Sequence, residues 1–296
     1  MITAITQETN GKSLENSPAI FNYLNYREFL KDTYEFKKQT NSKYSYAVFS
    51  MRAGIRSPNY LKLVMEGARN LTNENVLKFA KALSFNDIET VYWENLVDFN
   101  QAKNPEEKKY YFIKLKHSPI PQGKGAKIRE IWDEWDYYST WYHAAVRELV
   151  LLPTFLDDAQ VIVRLLRNRI TLEQAKESLE LLIRMKFLVR NESGKLQQAQ
   201  REVRYFNGVD LKNIAIQKFH QSTTALALDS LEKDSPKERD FSGLTIALTS
   251  EALNELKTKI THFRKDLNSQ YSALKQAEQV YQINFQVVPL SEGVNK

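Results

Sequence analysis

Residues Ser45-Tyr46-Ala47-Val48-Phe49-Ser50-Met51-Arg52-Ala53-Gly54-Ile55-Arg56-Ser57-Pro58-Asn59-Tyr60-Leu61-Lys62-Leu63-Val64-Met65-Glu66-Gly67 decide how the first part of the chain folds. The pattern predicts a short helix over Ser45–Ala53 that stops at Gly54, the residue type that enters the left-handed region at no steric cost. Ile55 plugs the core at the turn. Ser57 then reads as the N-cap of a second helix with Pro58 in its first position, where a missing N–H is harmless. Leu61, Val64 and Met65 repeat at helical spacing on its inner side, and Gly67 ends it. Thr72 opens a further helix with Val76, Leu77, Phe79, Ala80 and Leu83 toward the core. A helix, a glycine turn and a second short helix set across it form the arrangement that lays a recognition helix in the major groove of DNA.

The outward face of the Pro58 helix carries Asn59, Lys62, Leu63 and Glu66. Asn matches the two hydrogen-bonding edges of adenine, Lys reaches guanine or phosphate, and Leu63 suits a thymine methyl. Arg56 and Arg69 flank the helix at positions where backbone phosphates are met. With Ser57 at the turn, the candidate DNA-binding set is Arg56, Ser57, Asn59, Lys62, Leu63 and Arg69. The plainer reading is a small helical bundle whose polar face meets only water.

The chain has 296 residues and a net charge of +6, which tolerates nucleic acid without demanding it. There is no cysteine, so disulfides, thiolate metal sites and cysteine nucleophiles are excluded together. His117, His143, His220 and His262 form no metal-binding spacing, and no metal or cofactor is expected. Met1–Pro18 is polar and lacks the apolar run of a secretion signal, and no window is apolar enough to span a membrane; the expected location is the cytoplasm. No G-x-S-x-G, phosphate-binding loop or dinucleotide fingerprint occurs, and Gly123-Lys124-Gly125 lies among prolines without a third glycine, so an enzyme is not expected. Glu238-Arg239-Asp240 reads as a solvated or ion-paired loop.

Composition divides the chain into a disordered polar tail (1–20), a helix-turn-helix domain (21–100) opened by a helix near Tyr26–Lys38, and a basic connector (101–130) hinged at Ser118-Pro119-Ile120-Pro121-Gln122-Gly123. Next come a winged-helix-like domain (131–205) and an α/β dimerisation or sensor unit (206–296). The middle domain combines helix Asp157–Arg167, helix Thr171–Lys186 and a hairpin over Phe187–Tyr205 turning at Asn191-Glu192-Ser193-Gly194. In its second helix Leu172, Ala175, Leu179, Leu182 and Ile183 point inward. Glu173, Glu177 and Glu180 face out, where carboxylates would repel phosphates, so it suits protein contacts better than DNA. Arg184, Lys186, Arg190, Arg201 and Arg204 leave the wing some capacity to touch a backbone. The crowded aromatics from Trp132 to Tyr142 read first as core or interface, with a ligand cavity as the alternative. The last part predicts a helix over Asp210–Leu231 and a strand near Leu244–Leu248. A helix over Ser250–Lys275 follows, striped with Leu253, Leu256, Ile260, Phe263, Leu267 and Leu274, then a strand over Val280–Val288.

Ala53-Gly54-Ile55, Ser57-Pro58-Asn59-Tyr60-Leu61, Gly67 and Arg69-Asn70-Leu71 resemble the lambda-repressor-like helix-turn-helix. With Leu96-Val97-Asp98-Phe99-Asn100-Gln101-Ala102, Ala145-Val146-Arg147-Glu148-Leu149 and Glu238-Arg239-Asp240-Phe241-Ser242, the chain is similar to a family of uncharacterised, proposed bacterial transcriptional regulators. In that family such a motif precedes a C-terminal domain of unknown function, and the similarity extends over nearly everything after residue 20. The elements read from the residues make a mainly α (α+β) protein: a repressor-like helical bundle, a winged-helix-like middle and a small C-terminal α/β unit; the resemblance implies a transcriptional regulator. The expected function is sequence-specific binding of double-stranded DNA as a homodimer, open to a small-molecule or protein effector. The rivals are a protein-interaction adaptor that keeps the fold without reading DNA, and a small-molecule sensor in the C-terminal half.

Overall fold

The computed structural model describes residues 17–199, 209–272 and 277–293. Among them the chain is mainly helical, with twelve α-helices and one two-stranded sheet. It divides into two compact units, the first ending at Trp132 and the second beginning at Asp133.

The first unit opens with a 3-10 turn at Ile20–Asn22, followed by α1 (Tyr26–Thr40), α2 (Tyr46–Arg52), α3 (Tyr60–Met65), α4 (Asn73–Leu83), α5 (Asp87–Gln101) and α6 (Pro105–Lys116). The starts are written locally. Asn25, Ser45, Thr72 and Asn104 each accept a backbone N–H that the first helical turn leaves orphaned. Asn86 and Glu89 cap α5 reciprocally. The core is aromatic and centres on Trp93 of α5, which is wholly buried. Its ring lies parallel to Phe79 with centroids 6.4 Å apart and edge-on to Tyr26 at 5.8 Å. The indole N–H donates to the Val76 carbonyl at 2.9 Å, so this large side chain is buried without an orphaned donor.

Three expectations need correction here. Ile20, placed at the end of the tail, is buried in the core beside Phe21; residues 1–16 lie outside the described part. Leu77 is exposed, and Ala82 takes the buried place instead. The basic stretch 101–130, expected as a connector partly helical on both sides of a hinge, has helices on both sides of the proline-bearing loop but is packed into the first unit rather than linking two units. In α6, Phe112 and Leu115 are buried, with Phe112 packed against Phe99 and Trp132. The proline-bearing loop is also held down. Arg129 donates to the Ile120 carbonyl, and Gly125 is buried at positive φ where a Cβ would fall 2.9 Å from Ile120 and against Phe21. Basic composition and the prolines suggested a connector, but Phe112 and Leu115 are taken into the core while Tyr110 and Ile113 stay exposed.

Helix α7 (Ala126–Ser139) contains the division between the units. The second unit continues with α8 (Trp141–Leu149), α9 (Ala159–Leu165), α10 (Leu172–Arg184), strands β1 (Leu188–Arg190) and β2 (Leu196–Gln198), α11 (Val209–Lys233) and α12 (Ser250–Tyr271). Asp158 caps α9, and Thr171 with Gln174 forms a capping box on α10. The antiparallel hairpin pairs Leu188 with Gln198 and Arg190 with Leu196. Its loop is closed by the Asn191 carboxamide, which accepts from Ser193 and Lys195 N–H groups, with Gly194 at positive φ. Val146, Leu149, Ile162, Ala175, Leu182, Phe187, Leu188 and Leu196 form the shared core. Tyr137 joins it with its ring 4.6 Å from Phe187, so part of the aromatic crowd is packing.

The inner face of α10 is rotated from the expected one: Leu172 and Ile183 are exposed, while Ser178 and Leu181 are buried. Ser178 is accommodated because its hydroxyl lies 2.9 Å from His143 Nδ1. The hairpin closes within 188–198; Arg201 and Arg204, expected on the wing, lie outside the described residues, as does Leu274. The C-terminal α/β unit is not formed as expected. Residues 244–248 and 280–288 enter no ladder, and residues 206–296 are not separate from 133–205. Alternating apolar residues favour an extended segment, but a strand also needs an edge to pair with, and neither segment is paired with β1, β2 or the other among the described residues.

Candidate nucleic-acid interface

The turn between α2 and α3 is fixed from both sides. Gly54, at φ +63°, donates to the Met51 carbonyl, and the next N–H, of Ile55, donates to the Ser50 carbonyl at 2.8 Å. The buried Ser50 hydroxyl donates to the Pro58 carbonyl at 3.3 Å. Tyr60 N–H donates to Ser57 O at 3.3 Å, so Ser57 and Pro58 form a turn and not the first helical turn. Asn59 stands at the N-cap of α3, without a side-chain capping bond. The expected cap at Ser57 is thereby corrected. Proline fixes φ, but the bond from Ser50 draws its carbonyl back toward α2.

Arg56, Ser57, Asn59, Lys62 and Arg69 are exposed, and Leu63 is half-buried. They occupy one continuous stretch from the turn through α3 to the loop beyond it. Lys62 has only a loose 3.8 Å pairing with Glu66, both side chains being half exposed, and such pairs are worth ~0–1 kcal/mol. The ammonium is therefore easily transferred to an incoming phosphate or base.

The side chains that hold this stretch were not read from the sequence. Arg27 of α1 donates to the Val64 carbonyl, to the Arg69 carbonyl at 3.0 Å and to Asn70 Oδ1 at 2.6 Å. It thus ties the C-terminal end of α3 to the following loop, where a cation also meets the negative end of the helix. Tyr60 donates to the Asn70 carbonyl at 3.0 Å and accepts from Asn75 Nδ2 at 3.1 Å. Gln101 clasps Leu71, while Asn100 accepts from Tyr26 N–H and donates to the Leu24 carbonyl. The stretches around Arg69-Asn70-Leu71 and Asn100-Gln101 carried the only sequence signal for these partners; Arg27 had none.

Charge is divided unequally. Residues 1–132 hold twenty Lys and Arg against fourteen Asp and Glu, whereas residues 133–296 hold twenty-two of each. The whole excess of +6 therefore belongs to the first unit. In the second unit Glu173, Glu177 and Glu180 are exposed on α10. Arg184 is taken by a two-pronged pair with Asp133 at 2.8 Å on each prong, which holds its guanidinium more firmly protonated. Arg190 is held by Asp157 at 2.6 Å. A groove of about 480 Å³ is lined by Arg167, Arg169, Asp229, Lys233 and Asp234. Its charges are spent on one another, with Arg167 and Arg169 on Asp234 at 3.1 and 3.0 Å and Lys233 on Asp229 at 2.5 Å.

Among the described residues no group of three or more His, Asp or Glu is placed to hold a metal ion, and no helix is long and apolar enough to cross a membrane. No curated protein and no solved structure matches the chain. Residues 121–290, more than half of its length, match the family described as Domain of unknown function (DUF4423), and the chain belongs to that family.

Proposed function

We propose that the protein is a sequence-specific DNA-binding transcriptional regulator that acts as a homodimer. The observation that carries the reading is the exposed stretch from Arg56 to Arg69, with Asn59 and Lys62 on a helix anchored at its far end by Arg27. It lies in the unit that holds the entire charge excess. In this reading the first unit is a repressor-like bundle with α3 as its recognition helix.

The second unit, with three helices followed by a hairpin, has the element order of a winged helix and serves assembly and signal response. Its α10 presents carboxylates, and the two wing-side arginines 184 and 190 are engaged by aspartates, so little is left for phosphate. Selection from random-sequence duplexes at physiological salt tests the reading. Enrichment of a two-half-site motif spaced by about one turn, ~34 Å, supports it. Recovery of no motif, with binding that vanishes as salt rises, refutes it.

A further inference from the structure

Two segments of the second unit, 241–249 and 277–291, leave most of their large apolar side chains exposed. Residues 277–288 are held through Ala277 and Val280 against the second unit's core. Asn284 donates to the Thr223 carbonyl of α11 at 3.3 Å, and Phe285 stands edge-on to Phe263 of α12 at 6.0 Å. That anchorage leaves Tyr281 at 62%, Ile283 at 61% and Val287 at 44% exposure. In residues 241–249, Leu244, Ile246 and Leu248 are 84, 58 and 42% exposed. Among the described residues no backbone–backbone hydrogen bond involves 240–248 or 277–293. Helix α12, between the two segments, buries none of its side chains.

We propose that these two segments are the surface on which a second copy of the chain docks, pairing strand to strand and covering the apolar residues of both. Three features select a second copy. Open strand edges are normally guarded by charge, above all lysine, yet residues 241–250 and 279–291 contain no charged residue. An identical segment can therefore pair without setting like charges opposite each other. The six side chains named expose on the order of 600 Å² of apolar surface between them, and Phe241, Val288 and Leu290 add to it, against the ~800 Å² each partner contributes to a standard interface. Each copy also offers both an unsatisfied edge and the apolar face to cover it, the self-complementarity that a two-fold contact needs. Pro289, which lacks an N–H, marks where pairing stops.

The inference deepens the dimer reading by naming its surface, and it is tested without DNA, so its failure and that of the reading role are separate. Sedimentation of the full chain at micromolar concentration is expected to show a dimer. Ile283→Lys should weaken association by ~100-fold or more, while Gln286→Ala, on the other side of the alternation, leaves the dimer intact. Because the chain has no cysteine, Ile283→Cys provides a second reading that does not depend on the folding of the lysine variant. A short bismaleimide should couple two copies at 283 far more than at an exposed control, Lys81→Cys. A wild-type monomer overturns the proposal and gives the face to a different partner. A dimer that fails to couple at 283 above the control overturns it as well.

Discussion

The carboxamide of Gln101 meets the backbone of Leu71 on both edges. Its oxygen accepts the Leu71 N–H at 2.8 Å and its nitrogen donates to the Leu71 carbonyl at 2.9 Å. A side chain at the end of α5 thus does for the loop after α3 what a neighbouring strand would do, and Leu71 is buried beside it. Tyr26 adds a third bond, donating to the same Gln101 oxygen at 2.9 Å.

Gln101→Ala should therefore cost ~1–3 kcal/mol, because it leaves a backbone donor and acceptor without partners. The measurement is urea unfolding of the wild type and variant at neutral pH. An unchanged midpoint would show that water replaces the amide. Arg27→Ala should loosen the same loop from its other end and lower DNA affinity without touching DNA itself.

On the DNA side, Asn59→Ala and Lys62→Ala should each weaken binding to a selected sequence by ~1–3 kcal/mol and relax preference at the positions they meet. Arg69→Ala should weaken all sequences alike and flatten the salt dependence by about one phosphate contact. Titrations of the three variants on specific and scrambled duplexes distinguish the roles. Equal losses on both duplexes for Asn59 and Lys62 would remove α3 from the part of reader.

Alkali should find the Tyr26 joint. Burial pushes the Tyr26 phenol up to about 12, with Arg27 acting the other way. A group whose folded pKa lies above its unfolded value stabilises the fold fully below the unfolded value, and the gain is lost as pH rises through the folded one. Tyr23 is raised to about 12 as well, by burial and then by its bond to Asp32. Unfolding free energy should hold up to about pH 10 and fall between 10 and 12. Tyr26→Phe should cost ~1 kcal/mol at neutral pH for the lost bond to Gln101 and make the alkaline fall shallower. A fall of the same steepness in the variant would place the titration elsewhere.

The acidic face of α10 supplies a further test. Replacing Glu173, Glu177 and Glu180 together with Gln should leave sequence preference unchanged and raise non-specific affinity modestly at low salt, where screening is weakest. A footprint that loses protected bases, with the oligomeric state unchanged, would show that this helix reads DNA.

Most helix starts were legible because their determinants are local; α3 was the exception, its start moved from Ser57 to Asn59 by the turn that Ser50 holds. Ser45, Thr72 and Thr171 cap helices whose first turns lie within three residues of them. The mainly helical class followed from the same signals. Helix faces were less so: Leu77, Leu172 and Ile183 fit an apolar stripe by spacing, yet neighbours decided which edge of each stripe was covered. The partners that position α3 are far off in sequence, with Arg27 reaching to Asn70 and Gln101 to Leu71, and no periodicity encodes a bond across thirty or more residues. The segments 244–248 and 280–288 show the limit from another side. Alternation fixed their extended form but could not supply a partner edge.

The even balance of twenty-two basic and twenty-two acidic residues in 133–296 bears on colloidal behaviour. A half without net charge at neutral pH has little electrostatic repulsion to keep its copies apart in solution, and precipitation is easiest under those conditions. The other half, six positive charges in excess, should keep the intact molecule dispersed and give it a grip on cation-exchange resin. Severed from residues 1–132, the C-terminal half should flow through such a column and tolerate concentration poorly near neutrality, so the first half acts as its solubility tag.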